Sequence, residues 1–134
     1  MSTWTSQELD TLGESGELEI STRRDDGTLR QPVPIWVVRV GDDLYIRSWK
    51  GRGGGWFAHA SGQSTARIRA GEVERDVLVA APDASMRAAI DQAYRSKYTR
   101  YGGIYVDPMV ADAAAEATLQ LTPTTSRTSS KEID

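Results

Sequence analysis

The sequence predicts a mainly β, α+β fold, with about six short strands joined mostly by hairpins and one longer helix inserted late. Three observations predict it. Short apolar or alternating segments recur with Gly- and Asp-containing turns between them. Extended helical spacing of apolar residues occurs in MRAAIDQAYRSKY, and a last β-like segment follows it and must return to the sheet. A small closed or split β-barrel is the architecture these elements build.

Taken in order, Thr5 followed by Glu8 fits a capping box, Leu9 and Leu12 give a short apolar stripe, and Gly13 fits a stop, so a brief N-terminal helix is expected. Residues 18–22 form a first strand, and Asp26-Gly27 marks the turn out of it. The run VPIWVVRV is nearly continuous in apolar residues, as in a strand buried on both sides. A turn at Gly41-Asp42 or Asp42-Asp43 leads into a strand alternating Leu44, Ile46 and Ser48 against Tyr45, Arg47 and Trp49. After a glycine-rich loop, Trp56-Phe57-Ala58 begins one or two helical turns. Residues 66–70 and 73–80 form a hairpin about Gly71, with Arg67 and Arg69 on the face opposite Ile68.

Pro82-Asp83 ends that strand, and Asp83 or Ser85 caps the long helix, whose packed face carries Met86, Ile90, Ala93, Tyr94 and Tyr98. Gly102-Gly103 breaks it, Asp107-Pro108 opens a second short helix, and residues 117–121 form the final strand. One domain is expected over residues 1–122. The Thr- and Ser-rich residues 123–134 offer nothing to bury and are expected to be a disordered tail.

Composition narrows the chemistry. The 134 residues hold no cysteine and one histidine, which excludes disulfides, thiolate chemistry and multi-histidine metal sites. No apolar run approaches the roughly 20 residues of a membrane-spanning helix. The acidic N-terminus lacks the basic and apolar parts of a signal peptide, so a cytoplasmic location is expected. Of 16 Lys and Arg, five (Arg47, Lys50, Arg52, Arg67, Arg69) fall between Leu44 and Gly71, where no acid occurs, leaving 11 against 19 acidic residues elsewhere. Such a block either attracts an anionic ligand or is a solvated basic face.

Within that block lies RSWKGRGGGWF. Gly53, Gly54 and Gly55 allow consecutive N–H groups to turn toward a phosphate, Lys50 and Arg52 supply countercharge, and a helical turn beginning at Trp56 adds free N–H groups. The order of residues matches no established phosphate-loop fingerprint. Three glycines alone fit a flexible hairpin tip equally well, but the flanking tryptophans do not. Trp49 and Trp56 either stack on a flat ring or plug the barrel. His59 reads as a surface or capping residue more readily than as a base. Tyr94 and Tyr98 share a helix face and read as core, whereas Tyr101 and Tyr105, in a glycine-broken segment, are candidate catalytic hydrogen-bond donors.

The hairpin RRDDGTLRQPVPIWVV, the strand DLYIRSWKG, the loop ending in GGWF, the hairpin RIRAGEVERDV and the late tyrosine-bearing helix before a last strand resemble the FMN-binding split-barrel superfamily. Within it, the deazaflavin-dependent nitroreductases are the similar type. The chain from WTSQELDTLG to Pro123 also resembles an uncharacterised family of short bacterial proteins in that superfamily. The resemblance implies that the six strands form a split barrel, with FMN or a deazaflavin as cofactor and a homodimer as the assembly; from the Cys and His count, no metal is expected. It also implies that Arg47, Ser48, Lys50, Arg52, Gly53, Gly54 and Gly55 hold phosphate, with Trp56 at an aromatic position beside them. Trp49-Lys50 departs from the small residues common there, so Trp49 either stacks on the ring or fills its place.

Three functions follow as expectations. The first is an oxidoreductase passing a hydride from reduced cofactor to a small substrate, with the hard chemistry in the cofactor. The second is a cofactor-free binding module or catalyst that uses the same cleft for a small aromatic or anionic ligand. The third, single-stranded nucleic-acid binding through Trp49, Trp56, Arg47, Arg67 and Arg69, is opposed by a sequence pI near 5.2. Small-molecule binding, without nucleic acid or membrane, is the expected role.

Overall fold

Two strands at opposite edges of one sheet follow each other in the chain with a single residue between them. They are β2 (Val33–Ile35) and β3 (Val37–Val40), separated by Trp36 in a computed structural model that describes residues 4–49, 51 and 55–124. The other strands are β1 (Leu18–Thr22), β4 (Asp43–Arg47), β5 (Thr65–Ala70), β6 (Val73–Ala80) and β7 (Thr118–Pro123). The order across the sheet is β2-β1-β5-β6-β7-β4-β3, antiparallel throughout. Because one residue joins the two edges, the sheet has to curl until they meet, which gives a nearly closed barrel split at Trp36.

The six expected strands are seven, because VPIWVVRV is divided at Trp36. Side-chain alternation continues through the break. Ile35 and Val37 both point into the barrel, while Trp36 and Val38 join a second apolar cluster outside it. A run of uniformly apolar residues carried no sign of where the strand would leave one edge and begin the other.

The turns follow their residues. Gly27, Gly41 and Gly71 all have positive φ, and Gly41-Asp42 forms the two-residue link that pairs Val40 with Asp43. Arg67 and Arg69 lie opposite Ile68 as expected, and are ion-paired with Asp76 and Glu19. Helix α1 (Ser6–Glu14) has the complete Thr5/Glu8 capping box, but continues through Gly13 and ends at Ser15. Its Leu9 and Leu12 join the barrel core.

Helix α2 (Gly55–Gln63) is longer than the expected one or two turns, and Phe57 and Ala60 anchor it to the barrel core. Asp83 caps a 3-10 turn that leads into α3 (Arg87–Tyr98), which packs Ile90, Tyr94 and Tyr98 on the outer face of the β3–β4 hairpin. As a result β4 is buried on both faces, Leu44 and Ile46 inward and Tyr45 and Arg47 outward.

After Gly102 (φ +91) comes α4 (Gly103–Val110), with Pro108 inside the helix and not at its start. Pro108 removes one donor from the ladder and limits how far the helix extends. A further short helix, α5 (Asp112–Glu116), was not foreseen; it precedes β7. The expectation of a disordered tail concerns mostly residues 125–134, which lie outside the described residues.

Candidate functional site

Strand β4 ends at the split, where its outward-facing Arg47 is paired across the ladder with Thr118. The chain then bends back at once. The Ser48 amide donates to the Ala117 carbonyl (3.0 Å), and the Gly51 amide donates to the Ser48 carbonyl (3.0 Å). Gly51 has φ +77, and a Cβ there would lie 3.5 Å from the Ala113 methyl, so the bend needs glycine for its conformation. Beyond it, α2 begins at Gly55.

This bend, β2, Trp36 and α4 enclose a cleft of about 730 Å³, within the roughly 300–1,000 Å³ usual for small-molecule sites. Six sequence-predicted residues line it together: Arg47, Ser48, Trp49, Gly55, Trp56 and Tyr105. Lys50, Arg52, Gly53 and Gly54 lie outside the described residues. Tyr101 is not on the cleft wall. Its ring stacks on Trp36 at 5.6 Å and Tyr98 at 5.9 Å, and its hydroxyl accepts from Arg100 (3.2 Å). His59 is exposed on α2, away from the cleft lining. Among the described residues no cluster of acidic and histidine side chains could hold a metal ion.

Arg47 is anchored within the protein. Nε donates to the Thr118 hydroxyl and Nη1 to the Met109 carbonyl, each at 2.8 Å, while Asp91 of α3 sits 2.6 Å from Nη1. The guanidinium lies 5.3 Å from the Tyr94 ring centroid. With only 1% of its side chain exposed, Arg47 ties β4, β7, α3 and α4 together at the cleft floor. Its positive charge is largely cancelled by Asp91.

Sequence reasoning missed Trp36, Glu17 and the α4 residues Ile104, Pro108 and Met109 as cleft residues. Trp36 is held face to face on Tyr98, with centroids 3.8 Å apart and planes 2° from parallel, a contact worth about 0.5–1.5 kcal/mol beyond its buried area. Tyr98 is itself fixed at the split. Its hydroxyl accepts from the Val37 amide (3.1 Å) and faces the carbonyls of Gly16 (2.7 Å) and Val37 (3.0 Å). Lys97 Nζ also donates to the Val37 carbonyl (2.7 Å). These side chains satisfy backbone groups that an edge strand leaves without a sheet partner.

The electrostatics follow from burial. Burial pushes the Tyr98 hydroxyl up, away from ionisation, despite the Val37 amide that favours the phenolate. The Lys97 ammonium is pushed down to about 8, by burial first and then by Arg100. Tyr94 is raised still further by complete burial, although the Arg47 guanidinium and main-chain amide favour its ionised form.

Comparison with solved structures finds the same fold at low identity. HutZ, the heme storage protein from Vibrio cholerae, gives a TM-score of 0.61 at 11% identity, over 88% of this chain and 88% of its own. An F420-H2 dependent reductase (FDR-A) gives 0.60 at 14% identity, over 80% of this chain and 93% of its own. An FAD-binding protein from Mesorhizobium loti gives 0.57 at 15% identity, over 90% of this chain and 89% of its own. These three structures share this chain's fold, and their names carry three different ligands, so the fold does not select among them. No curated protein matches the sequence. Residues 8–121 match a family described as an uncharacterized protein conserved in bacteria (DUF2255), and the chain belongs to that family.

Proposed function

We propose that the protein binds a flavin or deazaflavin in the cleft and acts as an oxidoreductase toward a small substrate. The carrying observation is the state of the cleft around Trp49. That side chain lines it and is 61% exposed, and some 730 Å³ stays open with the indole in place. Trp49 therefore borders the space for a flat ring and does not fill it.

The residues present fit such a group. Trp36, Trp49 and Trp56 offer aromatic wall for a planar ring, and the first amides of α2, beginning at Gly55, lie where an anionic substituent would be received. When bound, the cofactor supplies hydride chemistry. The chain's own contribution is positioning. Arg47 fixes the cleft floor through Thr118 and Met109, the aromatic walls exclude water, and the Tyr105 hydroxyl is the donor available to a substrate at the mouth. Tyr101 supports Trp36 from outside the cleft and has a structural task in this reading.

A second reading keeps the cleft and drops the cofactor, making the protein a binding module for a small aromatic or anionic ligand. The observation favouring it, for an aromatic ligand over an anionic one, is the Arg47–Asp91 pair, which leaves no uncompensated cation on the cleft wall among the described residues. Nucleic-acid binding loses support from the pairing of Arg67 and Arg69 with acids.

Titration of purified protein with FMN and with a deazaflavin, followed by quenching of tryptophan fluorescence, separates the two readings. The oxidoreductase reading expects micromolar binding that Trp56→Ala weakens, and Tyr105→Phe lowering turnover more than affinity. Binding of neither cofactor removes it and leaves the second reading. Native mass spectrometry of the same preparation tests the homodimer that this reading includes.

A further inference from the structure

We infer that the cleft accepts a planar organic cation, held by the Glu17 carboxylate beside the Trp36, Trp49 and Tyr105 rings. This deepens the reading of the cleft as a ligand site and rests on it.

Two charged residues, Glu17 and Arg47, line the cleft among the described residues. They differ in what surrounds them. Arg47 is buried and faces the Asp91 carboxylate at 2.6 Å; Asp91 also pairs with Arg87 (3.4 Å), which is held in turn by Asp112 (2.8 Å), so the Arg47 charge is balanced within this network. Glu17 is exposed, and its carboxylate has no ion pair or hydrogen bond among the described residues. Its nearest sequence neighbours do not neutralise it, because Ser15 bonds only to the Glu17 main-chain carbonyl. Lys97, which supports the same junction, is directed to the Val37 carbonyl and the Tyr98 ring. Among the described residues, Glu17 is therefore the one cleft-lining charge without a counter-charge.

The topology puts this charge beside an aromatic surface. The β1–β2 register pairs Leu18 with Ile35, and one step further brings Glu17 opposite Trp36. The β3–β4 register pairs Val37 with Ile46, and one step further brings Arg47 to the other side of Trp36. Along the backbone Trp36 thus falls between Glu17 and Arg47, and all three line the cleft. Tyr105, like Trp49 61% exposed, adds further ring surface on the same cleft.

Aromatic rings present a negative face that attracts cations, and a carboxylate adds to that attraction. A neutral ring would gain the stacking and leave Glu17 without a partner, and an anion at this wall would be repelled. The chemistry complementary to Glu17 and the rings is a flat, delocalised cation, such as a quaternised aromatic nitrogen. The amides at the start of α2 favour negative charge instead, so the cofactor's anionic part and a cationic substrate would use different groups of the same cleft.

The test is calorimetric titration with N-methylquinolinium and, at a pH where it is uncharged, quinoline. The expected result is that the cation binds more tightly than quinoline. Glu17→Gln is then expected to weaken the cation roughly three- to tenfold while leaving quinoline unchanged, and Glu17→Asp to retain most of the preference. Added salt is expected to weaken the cation alone. Equal affinity for the two probes, or a cation affinity indifferent to Glu17→Gln in a protein with unaltered circular dichroism, overturns the inference; if Glu17→Gln does not fold, Glu17→Asp and the salt series decide it. Flavin and deazaflavin are titrated separately. Loss of their binding with Glu17-dependent cation binding intact removes the oxidoreductase reading alone, and the converse removes the cation site alone.

Discussion

Tyr94 and Tyr98 sit one turn apart on α3, both fully enclosed, yet removal of the same atom from each is expected to have opposite consequences. The Tyr98 hydroxyl receives the Val37 amide proton at 3.1 Å and donates toward the Gly16 carbonyl at 2.7 Å. Tyr98→Phe orphans a buried amide on the β3 edge, which costs about 1–3 kcal/mol, and removes a donated bond with a net value of about 1 kcal/mol. The Val37 carbonyl keeps Lys97 at 2.7 Å, so nothing further is lost there. The expected sum is a destabilisation of about 2–4 kcal/mol. The Tyr94 hydroxyl is buried and closes no well-formed hydrogen bond among the described residues, the Arg47 main-chain amide being the one donor directed at it. Tyr94→Phe removes only a desolvated polar group and is expected to be neutral or stabilising by up to about 1 kcal/mol. Urea unfolding of the two variants, followed by far-ultraviolet circular dichroism, measures both changes as midpoint shifts at constant slope. The reasoning fails if Tyr98→Phe costs less than about 0.5 kcal/mol. It fails equally if the two variants lose the same stability.

Two further predictions concern charges at the same junction. Asp91→Asn leaves the buried Arg47 guanidinium without its counter-ion and is expected to cost about 3 kcal/mol. The double change Arg47→Met with Asp91→Leu is expected to recover most of that loss, measured in the same unfolding assay. For Lys97, the folded protein holds the ammonium pKa at about 8 against an ordinary 10.5. Between those values the unfolded chain binds more protons than the folded one, so stability is expected to rise as pH increases from about 8 to 10.5. Below that window the cost of a desolvated charge is present in full. Thermal unfolding across the window is expected to lose this rise in Lys97→Met.

Much of the fold was legible because it is locally encoded. The capping box at Thr5 and Glu8, the turn glycines at 27, 41 and 71, and the alternation of Arg67, Ile68 and Arg69 act through neighbours in sequence, and each appears where its chemistry requires. The candidate site was legible only by residue type. The basic block drew attention to Arg47, but its partner Asp91 belongs to a helix that reaches β4 only after the barrel forms. A cation's commitments depend on tertiary packing, and no spacing rule reveals them. Trp36 was hidden for a different reason: within IWVV every residue is apolar, so the pattern gave no sign that one side chain turns outward to Tyr98. Glu17 was one acid among several in an acidic segment. Only its position opposite Trp36 distinguishes it.

The one-residue junction at Trp36 leaves the barrel no slack at its seam. An extra residue there would reverse which of the following side chains face inward, sending Val37 out and Val38 in, and would shift Trp36 off its support on Tyr98 at the same time. A deletion would do the same to the alternation and also shorten the span between two edges already in close approach. Length variation among chains of this type is therefore expected at turns such as the one around Gly27, where the chain is exposed, and not between β2 and β3. The seam works as a molecular ruler, holding constant the spacing of β2 and β3 where Trp36 borders the cleft.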